Sequence, residues 1–168
     1  AERVGQLSNA LEAAGMGDGD VVGSFCWNHH RHFEAYFAVP DIGAALHTLN
    51  VNLPDGHVEH LLLDAEDRLL FADPGLLQQL DRLVDSGAFE HLEHLVVMGD
   101  SVPETDLTSV CTVEDYESFI AGHDSEYEGP ELDEDQVAAM CHTGGTTGLP
   151  KGVEFTHKML WTQMMATM

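Results

Sequence analysis

Short apolar runs alternate with longer amphipathic stretches along most of the chain, and this alternation constrains the fold more than any other feature. The runs have the length of strands, and apolar residues three or four positions apart between them indicate helices. Such an order predicts an α/β domain, a three-layer, mostly parallel sheet with helices on both faces. The predicted strands are 21–27, 68–73, 94–99 and 137–142, and the predicted helices are 4–14, 32–49, 55–64, 75–83, 115–121 and 156–168.

Two segments fit this pattern less regularly. Pro40 and Gly43 interrupt the apolar face of 32–49, and we interpret the segment as a helix that bends or splits there. Residues 124–135 are acidic and rich in turn formers, so we expect a surface excursion and not a domain boundary. The sequence contains no internal repeat and no low-complexity tract.

The charge of the chain excludes two classes of partner. Six Lys and Arg against thirty Asp and Glu give 168 residues a formal net charge of −24. This disfavours binding to nucleic acid or to an anionic lipid surface. No apolar run reaches the roughly 20 residues of a membrane helix, so we expect no membrane insertion.

The same charge needs an explanation, because self-repulsion destabilises a compact domain unless salt screens it. We therefore expect a halophilic source. The alternative is that the chain is a piece of a larger protein whose remainder balances the charge. Cys26, Cys111 and Cys141 are widely spaced and form no Cys-x-x-Cys pair, which fits a reducing cytoplasm.

Residues 143–152 read Thr-Gly-Gly-Thr-Thr-Gly-Leu-Pro-Lys-Gly between a predicted strand and a predicted helix. Glycines let backbone N–H groups converge on one point, threonine hydroxyls add donors or a cation ligand, and Lys151 adds a mobile positive charge. These features favour an oxyanion ligand. The segment is not a Walker A loop, because Pro150 precedes and Gly152 follows the lysine, and it lacks the dinucleotide fingerprint. The alternative is a flexible turn that binds nothing.

The order of residues 141–153, Cys-His-Thr-Gly-Gly-Thr-Thr-Gly-Leu-Pro-Lys-Gly-Val, resembles the phosphate-binding signature of the adenylate-forming superfamily. That superfamily includes acyl-CoA synthetases, luciferases and the adenylation domains of peptide synthetases. His142 stands where an aromatic residue is common, and Gly144 stands where serine is common. Residues 27–40, 43–50 and 65–71 look like those of medium- and long-chain fatty acyl-CoA synthetases, so the resemblance covers nearly the whole chain.

The resemblance implies a reaction and its ligands. A carboxylic acid, in the first place a fatty acid, reacts with ATP to an acyl-adenylate and then with CoA to a thioester, and Mg²⁺ accompanies the ATP. The implied partners are therefore a small-molecule carboxylate, ATP and CoA, and a homo-oligomer is left open. The alternatives are an aryl or amino-acid adenylating enzyme and a non-catalytic nucleotide-binding module. Because the family is much longer, we expect residues 1–168 to be a fragment of its N-terminal ATP-binding domain, without the C-terminal lid domain and inactive alone.

The resemblance also assigns residues. Lys151 is the implied catalytic group, because its charge would stabilise the pyrophosphate leaving group. Thr146 or Thr147 is the implied Mg²⁺ ligand. The residues implied to hold the phosphates are Thr143, Gly144, Gly145, Thr146, Thr147, Gly148 and Lys151.

Several histidines lie close together in the sequence and invite a second interpretation as a metal site. The groups are Cys26 with His29, His30 and His32, His57 with His60, and His91 with His94. None has the spacing of a known zinc pattern, so we interpret them as surface residues. Thr156 precedes the last predicted helix and is a candidate N-cap.

Overall fold

A computed structural model describes residues 1–144 and 148–167, which contain seven strands and six α-helices. The strands are β1 (Val21–Phe25), β2 (Ala45–Thr48), β3 (Leu69–Ala72), β4 (His94–Val97), β5 (Thr112–Asp115), β6 (Val137–Thr143) and β7 (Lys151–Thr156). The helices are α1 (Glu2–Ala13), α2 (His30–Asp41), α3 (Asp55–Ala65), α4 (Leu77–Asp81), α5 (Tyr116–Ile120) and α6 (His157–Thr167). Within this part of the chain, no helix is long and apolar enough to span a bilayer.

All seven strands form one sheet in the order β5-β4-β3-β1-β2-β6-β7. Every neighbouring pair is parallel except β6 and β7, which run antiparallel as a hairpin at one edge. The predicted mostly parallel sheet is therefore confirmed. In such a sheet the loops after the carboxyl ends of the strands gather at one edge, where α/β proteins place their ligands.

Helices cover both faces of the sheet, as predicted, because side chains alternate along the buried strands. Leu69 and Phe71 of β3 enter one hydrophobic cluster, which contains residues of α1, α2 and α5. Leu70 and Ala72 enter the opposite cluster, which contains residues of α3 and α4. One strand thus contributes to two cores, and its four residues are all buried.

The predicted helix over 32–49 is wrong in its second half. Helix α2 ends at Asp41, and Ala45–Thr48 forms β2 in the middle of the sheet. Pro40 lies inside the last turn and Gly43 adopts a φ of +83°, a left-handed conformation that ends helices. The N–H of Ala44 donates to the carbonyl of Val39, which closes the turn and directs the chain into the strand.

Two further strands were not predicted. β5 is a partly exposed edge strand of Thr-Val-Glu-Asp, which lacks an apolar run and is defined by its pairing with β4. β7 includes Lys151 and Gly152, which we had placed in the loop, and pairs with β6. The predicted last helix is confirmed as α6, and Thr156 caps it, because its hydroxyl accepts the N–H of Met159 at 3.3 Å.

The acidic segment 124–135 contains no helix or strand and crosses the surface beside α1. The side-chain amide of Asn9 donates to the carbonyls of Asp124 and Glu126, both at 3.0 Å. Gly5 faces Ser125 so closely that a Cβ there would lie 2.1 Å from the Ser125 carbonyl oxygen. The segment is therefore held against α1 and depends on a glycine for that approach.

This close approach makes a stability prediction. Gly5→Ala should lower the free energy of unfolding by about 1–3 kcal/mol, because backbone must move to admit the methyl group. The matched control is Gly56→Ala in α3, where no atom lies within 4 Å of the new Cβ. That variant should be neutral or gain about 0.5–1 kcal/mol, since alanine favours helix. Urea titrations of both variants in molar KCl measure this difference, and equal stabilities would contradict the contact.

Candidate functional site

The Gly/Thr segment connects the two strands of the β6–β7 hairpin. β6 pairs with β2 on its other side, so the hairpin is anchored in the sheet. The register places Thr143 opposite Lys151 at the end of the hairpin. Two residues assigned to phosphate binding are thus neighbours across the strands. Gly145, Thr146 and Thr147 lie outside the described residues, so the assignments made to them stay predictions.

A cleft of about 700 Å³ opens between this hairpin and α3. Its volume is that of a small-molecule site. Four of the residues assigned from the sequence line it, namely Thr143, Gly144, Gly148 and Lys151, together with Leu149, Pro150 and Gly152 of the hairpin and His60 and Asp64 of α3. The structure therefore brings together the described members of the predicted site and adds two side chains that sequence reasoning missed.

Helix α3 holds one side of the loop in place. The Nε2 atom of His60 lies 3.1 Å from the carbonyl oxygen of Pro150, a residue that is itself buried. Asp64 is one helical turn further along, so both side chains project toward the hairpin. The spacing of four between a histidine and an aspartate was visible in the sequence, but nothing in the sequence indicated that this helix faces the loop.

Lys151 differs from every other Lys and Arg in the chain. Within the part of the chain that the structure describes, it is exposed and has no carboxylate within 4.0 Å. The other five cations are all paired: Arg3 with Glu34 and Glu117, Arg31 with Glu117 and Asp100, Arg68 with Asp20 and Glu93, Arg82 with Asp55, and Lys158 with Glu134 and Asp135. The cleft therefore contains a cation whose charge is available to an anionic ligand.

Beneath the cleft, four titratable side chains form a continuous row of hydrogen bonds. The carboxylate of Asp67 lies 2.9 Å from Nδ1 of His47, Nε2 of His47 lies 3.0 Å from Nδ1 of His142, and Nε2 of His142 lies 3.1 Å from Asp64. We call this row the histidine relay. It begins in the core, where the side chains of Asp67 and His47 are 2% and 0% exposed, and ends at Asp64, which is 48% exposed.

The buried end of the histidine relay depends on Gly23 in β1. A Cβ at Gly23 would lie 3.0 Å from the Asp67 carboxyl and 2.8 Å from the Leu70 side chain, so the carboxyl occupies space that a larger residue would take. Burial raises the pKa of Asp67, and the neighbouring His47 opposes this shift. Sequence reasoning missed the relay, because only His142 had drawn notice, as a departure from the family pattern.

A second cluster lies at the carboxyl ends of β1 and β3, where Cys26, His29 and Asp73 place their ligand atoms within 4.8 Å of one another. Each group has a partner in the protein. Nδ1 of His29 accepts the N–H of His32 at 3.2 Å and caps α2, so Nε2 carries the proton and donates to Asp73 at 3.0 Å. The Cys26 thiol donates to the carbonyl of Phe71. These contacts explain the cluster as support for the turn after β1.

The prediction that the clustered histidines are surface residues is wrong for His32, which is buried. His57 and His60 share α3, and of these two His60 lines the cleft. His91 lies 3.1 Å from its neighbour Glu90 at the surface.

Comparisons with known proteins agree with this arrangement. A family model described as AMP-binding enzyme matches residues 1–168. The long-chain-fatty-acid–CoA ligase of Thermus thermophilus is 38% identical over 159 residues, which are 95% of this chain and 27% of that protein. The 3-methylmercaptopropionyl-CoA ligase of Ruegeria pomeroyi is 35% identical over 161 residues, which are 94% of this chain and 29% of that protein.

Among solved structures, an anthranilate CoA ligase in complex with anthranoyl-AMP superposes with a TM-score of 0.83 at 24% identity. The match covers 94% of this chain and 29% of that one, and it supports the fold. The chain belongs to the AMP-binding enzyme family, which confirms the resemblance to adenylate-forming enzymes. It spans less than a third of the length of these relatives.

The two lysines of the chain should differ in reactivity. The hydrogen bond from Lys158 to Glu134 and the nearby charge of Asp135 raise the pKa of the Lys158 ammonium. A smaller fraction of this side chain is therefore in the neutral amine form that reacts. Lys151 has no such partner within the described residues and should be acetylated faster by limiting acetic anhydride at pH 8. Peptide mass spectrometry measures both rates in one sample. Faster labelling of Lys158 would show that Lys151 is not the freely available cation.

Proposed function

We propose that the protein containing this chain activates an aliphatic carboxylic acid with ATP and transfers it to CoA. A carboxylate oxygen attacks the α-phosphorus of ATP, the acyl-adenylate forms and pyrophosphate leaves. The thiol of CoA then attacks the acyl carbon, the thioester forms and AMP leaves. Family membership supports the reaction class, and the names of the two relatives, for a long-chain fatty acid and for 3-methylmercaptopropionate, support an aliphatic acid.

The observation that carries this proposal is the position of Lys151 in the cleft. Negative charge accumulates on the pyrophosphate oxygens as the bond to the α-phosphorus breaks, and a nearby positive charge stabilises that transition state. Lys151 is the cation without a carboxylate partner among the described residues, and it stands opposite Thr143 across the hairpin. The N–H groups of Gly144 and Gly148, with those of the neighbouring loop, would supply further donors to the phosphates.

Mg²⁺ enters this scheme with the ATP phosphates. Its preference for oxygen ligands suits a threonine hydroxyl, and we assign that ligand to Thr146 or Thr147. The ion would neutralise phosphate charge as the carboxylate approaches. This matters in a chain of net charge −24, where long-range repulsion opposes the approach of both anionic substrates.

We further propose that residues 1–168 are part of the N-terminal ATP-binding domain of a longer enzyme and are inactive alone. Helix α6 supports this, because it carries large apolar side chains that are exposed here. They are Met159, Leu160, Trp161, Met164 and Met165, each between 42% and 61% exposed. An apolar patch of this kind marks a contact surface. We assign it to the remaining polypeptide, which in the relatives is more than two thirds of the length.

Lys151→Ala tests the proposed role in the intact enzyme. Loss of the charge should lower carboxylate-dependent ATP–pyrophosphate exchange about 10²–10³-fold. Binding of the carboxylic acid should change less, since the lysine acts on the phosphates. The matched control is Lys158→Ala, which removes the other lysine, outside the cleft and paired with Glu134.

Exchange is measured in molar KCl with short, medium, long and aromatic carboxylates. Dependence on an aliphatic acid, with loss in Lys151→Ala and retention in Lys158→Ala, is the expected result. Unchanged exchange in Lys151→Ala would refute the role of the lysine. Absence of exchange with every acid, while ATP still binds, would identify a non-catalytic nucleotide-binding module.

We propose a halophilic source on the strength of the charge. Five of six cations are already paired, so most of the thirty carboxylates repel one another without compensation. Salt at molar concentration shortens the Debye length to about 3 Å and removes most of this repulsion. The three cysteines are free, which also fits our assignment to a reducing cytoplasm.

The salt proposal predicts that the chain loses stability on dilution. Dialysis from 2 M to 0.1 M KCl should lower the free energy of unfolding and the thermal midpoint, because screening is lost. Far-UV circular dichroism melts across a KCl series measure this. Sucrose at matched osmolality is the control, since it is excluded from the surface but carries no charge. A midpoint independent of KCl would contradict the proposal.

A further inference from the structure

The histidine relay contains three hydrogen bonds between four titratable groups, and each bond needs one proton. The contacts run from Asp67 to His47, from His47 to His142 and from His142 to Asp64, all between 2.9 and 3.1 Å. A neutral imidazole carries one N–H and a carboxylate carries none. Two neutral histidines and two carboxylates therefore supply two protons for three bonds. The third bond requires one proton more.

Each histidine has two neutral tautomers, so the two protons can be assigned in four ways, and every one leaves at least one contact without a proton between its atoms. If His47 donates to Asp67 and His142 donates to His47, then Nε2 of His142 faces the Asp64 carboxylate without a proton between them. If both rings are turned to donate toward Asp64, then Nδ1 of His47 faces the Asp67 carboxylate in the same way. If His47 donates to Asp67 and His142 donates to Asp64, then Nε2 of His47 faces Nδ1 of His142 as two acceptors. If both rings donate inward, two N–H groups face each other and neither carboxylate has a donor. Two acceptors at 3 Å repel each other, and at the buried end an unpaired acceptor is costly.

We propose that the histidine relay holds this third proton and binds it more tightly when a polyphosphate occupies the cleft. This proposal rests on the proposed function of the cleft. His142 and Asp64 are then positioning residues, which set the charge at the cleft wall and hold the start of the loop. The exposed end, Asp64, lines the same cleft as Lys151. A retained proton changes the net charge of the four groups from −2 to −1, and the smaller negative charge reduces repulsion of an anionic ligand.

Groups around the histidine relay act on its third proton in both directions. Burial raises the pKa of Asp67, so the core end of the relay resists carrying a full charge. Other titratable groups lining the cavities around Asp64 are His60 of α3 and Lys151 and Glu154 of β7. Lys151 opposes retention of the proton while it is free. A bound polyphosphate adds several negative charges and reverses that balance.

The pH dependence follows from this shift. The proton is lost at a higher pH in the complex than in the free chain, so ligand binding takes up a proton at pH values between the two. Affinity for ATP is then highest below the lower of these values. As pH rises between them, affinity should fall up to tenfold per pH unit.

Asp64→Asn separates this proposal from a merely structural role. The asparagine amide donates to Nε2 of His142, so all three hydrogen bonds form with the two histidine protons and no extra one. The residue is half exposed, so the variant should fold. His142→Gln interrupts the relay in its middle and serves as the second variant. The matched control is His91→Gln, a surface histidine outside the cleft.

The proton count is measured in the ligand-free chain by ¹⁵N and ¹H NMR of the histidine rings in molar KCl, at a pH below that at which the free chain loses the third proton. Three downfield bridging protons, reduced to two in Asp64→Asn with His91→Gln unchanged, are expected. Two bridging protons in the unmodified chain would overturn the proposal. This experiment needs no ligand, so its result is independent of the proposed function.

The linkage is measured in the intact enzyme by calorimetric titration of MgATP in two buffers with different ionisation enthalpies, between pH 6.5 and 8.5. The unmodified enzyme and His91→Gln should take up as much as one proton per bound ATP, and Asp64→Asn and His142→Gln should take up less. Comparison with Asp64→Asn cancels protons exchanged by ATP itself. Equal uptake in Asp64→Asn would overturn the linkage. Absence of ATP binding in all buffers would overturn the polyphosphate function of the cleft and the linkage with it, while the NMR count would still decide the relay.

Discussion

The pairing of β2 with β6 is the contact on which the site depends. It joins Ala45–Thr48 to a strand about ninety residues later in the chain, with Leu46 opposite Ala139 and Thr48 opposite Cys141. Without it, the β6–β7 hairpin would have no attachment to the parallel part of the sheet. The same pairing brings His142 to His47 and sets the hairpin beside α3. Closing the long loop between such distant strands costs conformational entropy. Burial of the surrounding strands offsets this cost.

The distribution of charge separates the ion pairs that hold helices together from the cleft in which we propose that ATP binds. Arg3 and Arg31 both reach Glu117 and thereby connect α1, α2 and α5. These ion pairs lower the pKa of Glu117 to about 2, so the carboxylate stays charged at any physiological pH. Cations that are paired with carboxylates in this way are not available to attract an anionic ligand. In a chain with only six cations, the phosphate binding that we propose for the cleft relies on Lys151 and on backbone donors.

Local patterns in the sequence predicted most of the sheet, because buried parallel strands are apolar and the intervening helices are amphipathic. β3 and β4 illustrate this, since their residues are almost all buried and their limits were nearly correct. The prediction failed at β2, where the apolar face of α2 continued past Gly43 in helical register. Only the pairing with β1 and β6 makes those residues a strand, and pairing between distant segments cannot be read from a local period.

The site was predicted in part for a related reason. The Gly/Thr segment is contiguous, so its residues could be recognised together, and the structure places its described members around one cleft. The remaining side chains come from other parts of the chain and meet only in the folded structure. They are His47, His60, Asp64 and Asp67. Gly23 lies in a predicted strand, and nothing in the sequence indicated a further role for it. In the fold it provides the space into which the Asp67 carboxyl extends.

The two departures of this loop from the pattern of its superfamily have different consequences. Glycine at 144 removes one hydroxyl and leaves the backbone N–H, so the donor that we propose for phosphate is kept. Histidine at 142 changes the chemistry beneath the loop, because an imidazole has two nitrogens on opposite sides of the ring. It can bridge His47 and Asp64 at once, whereas a phenol has a single oxygen for both. A tyrosine there could contact the core or the cleft wall, and the imidazole connects them.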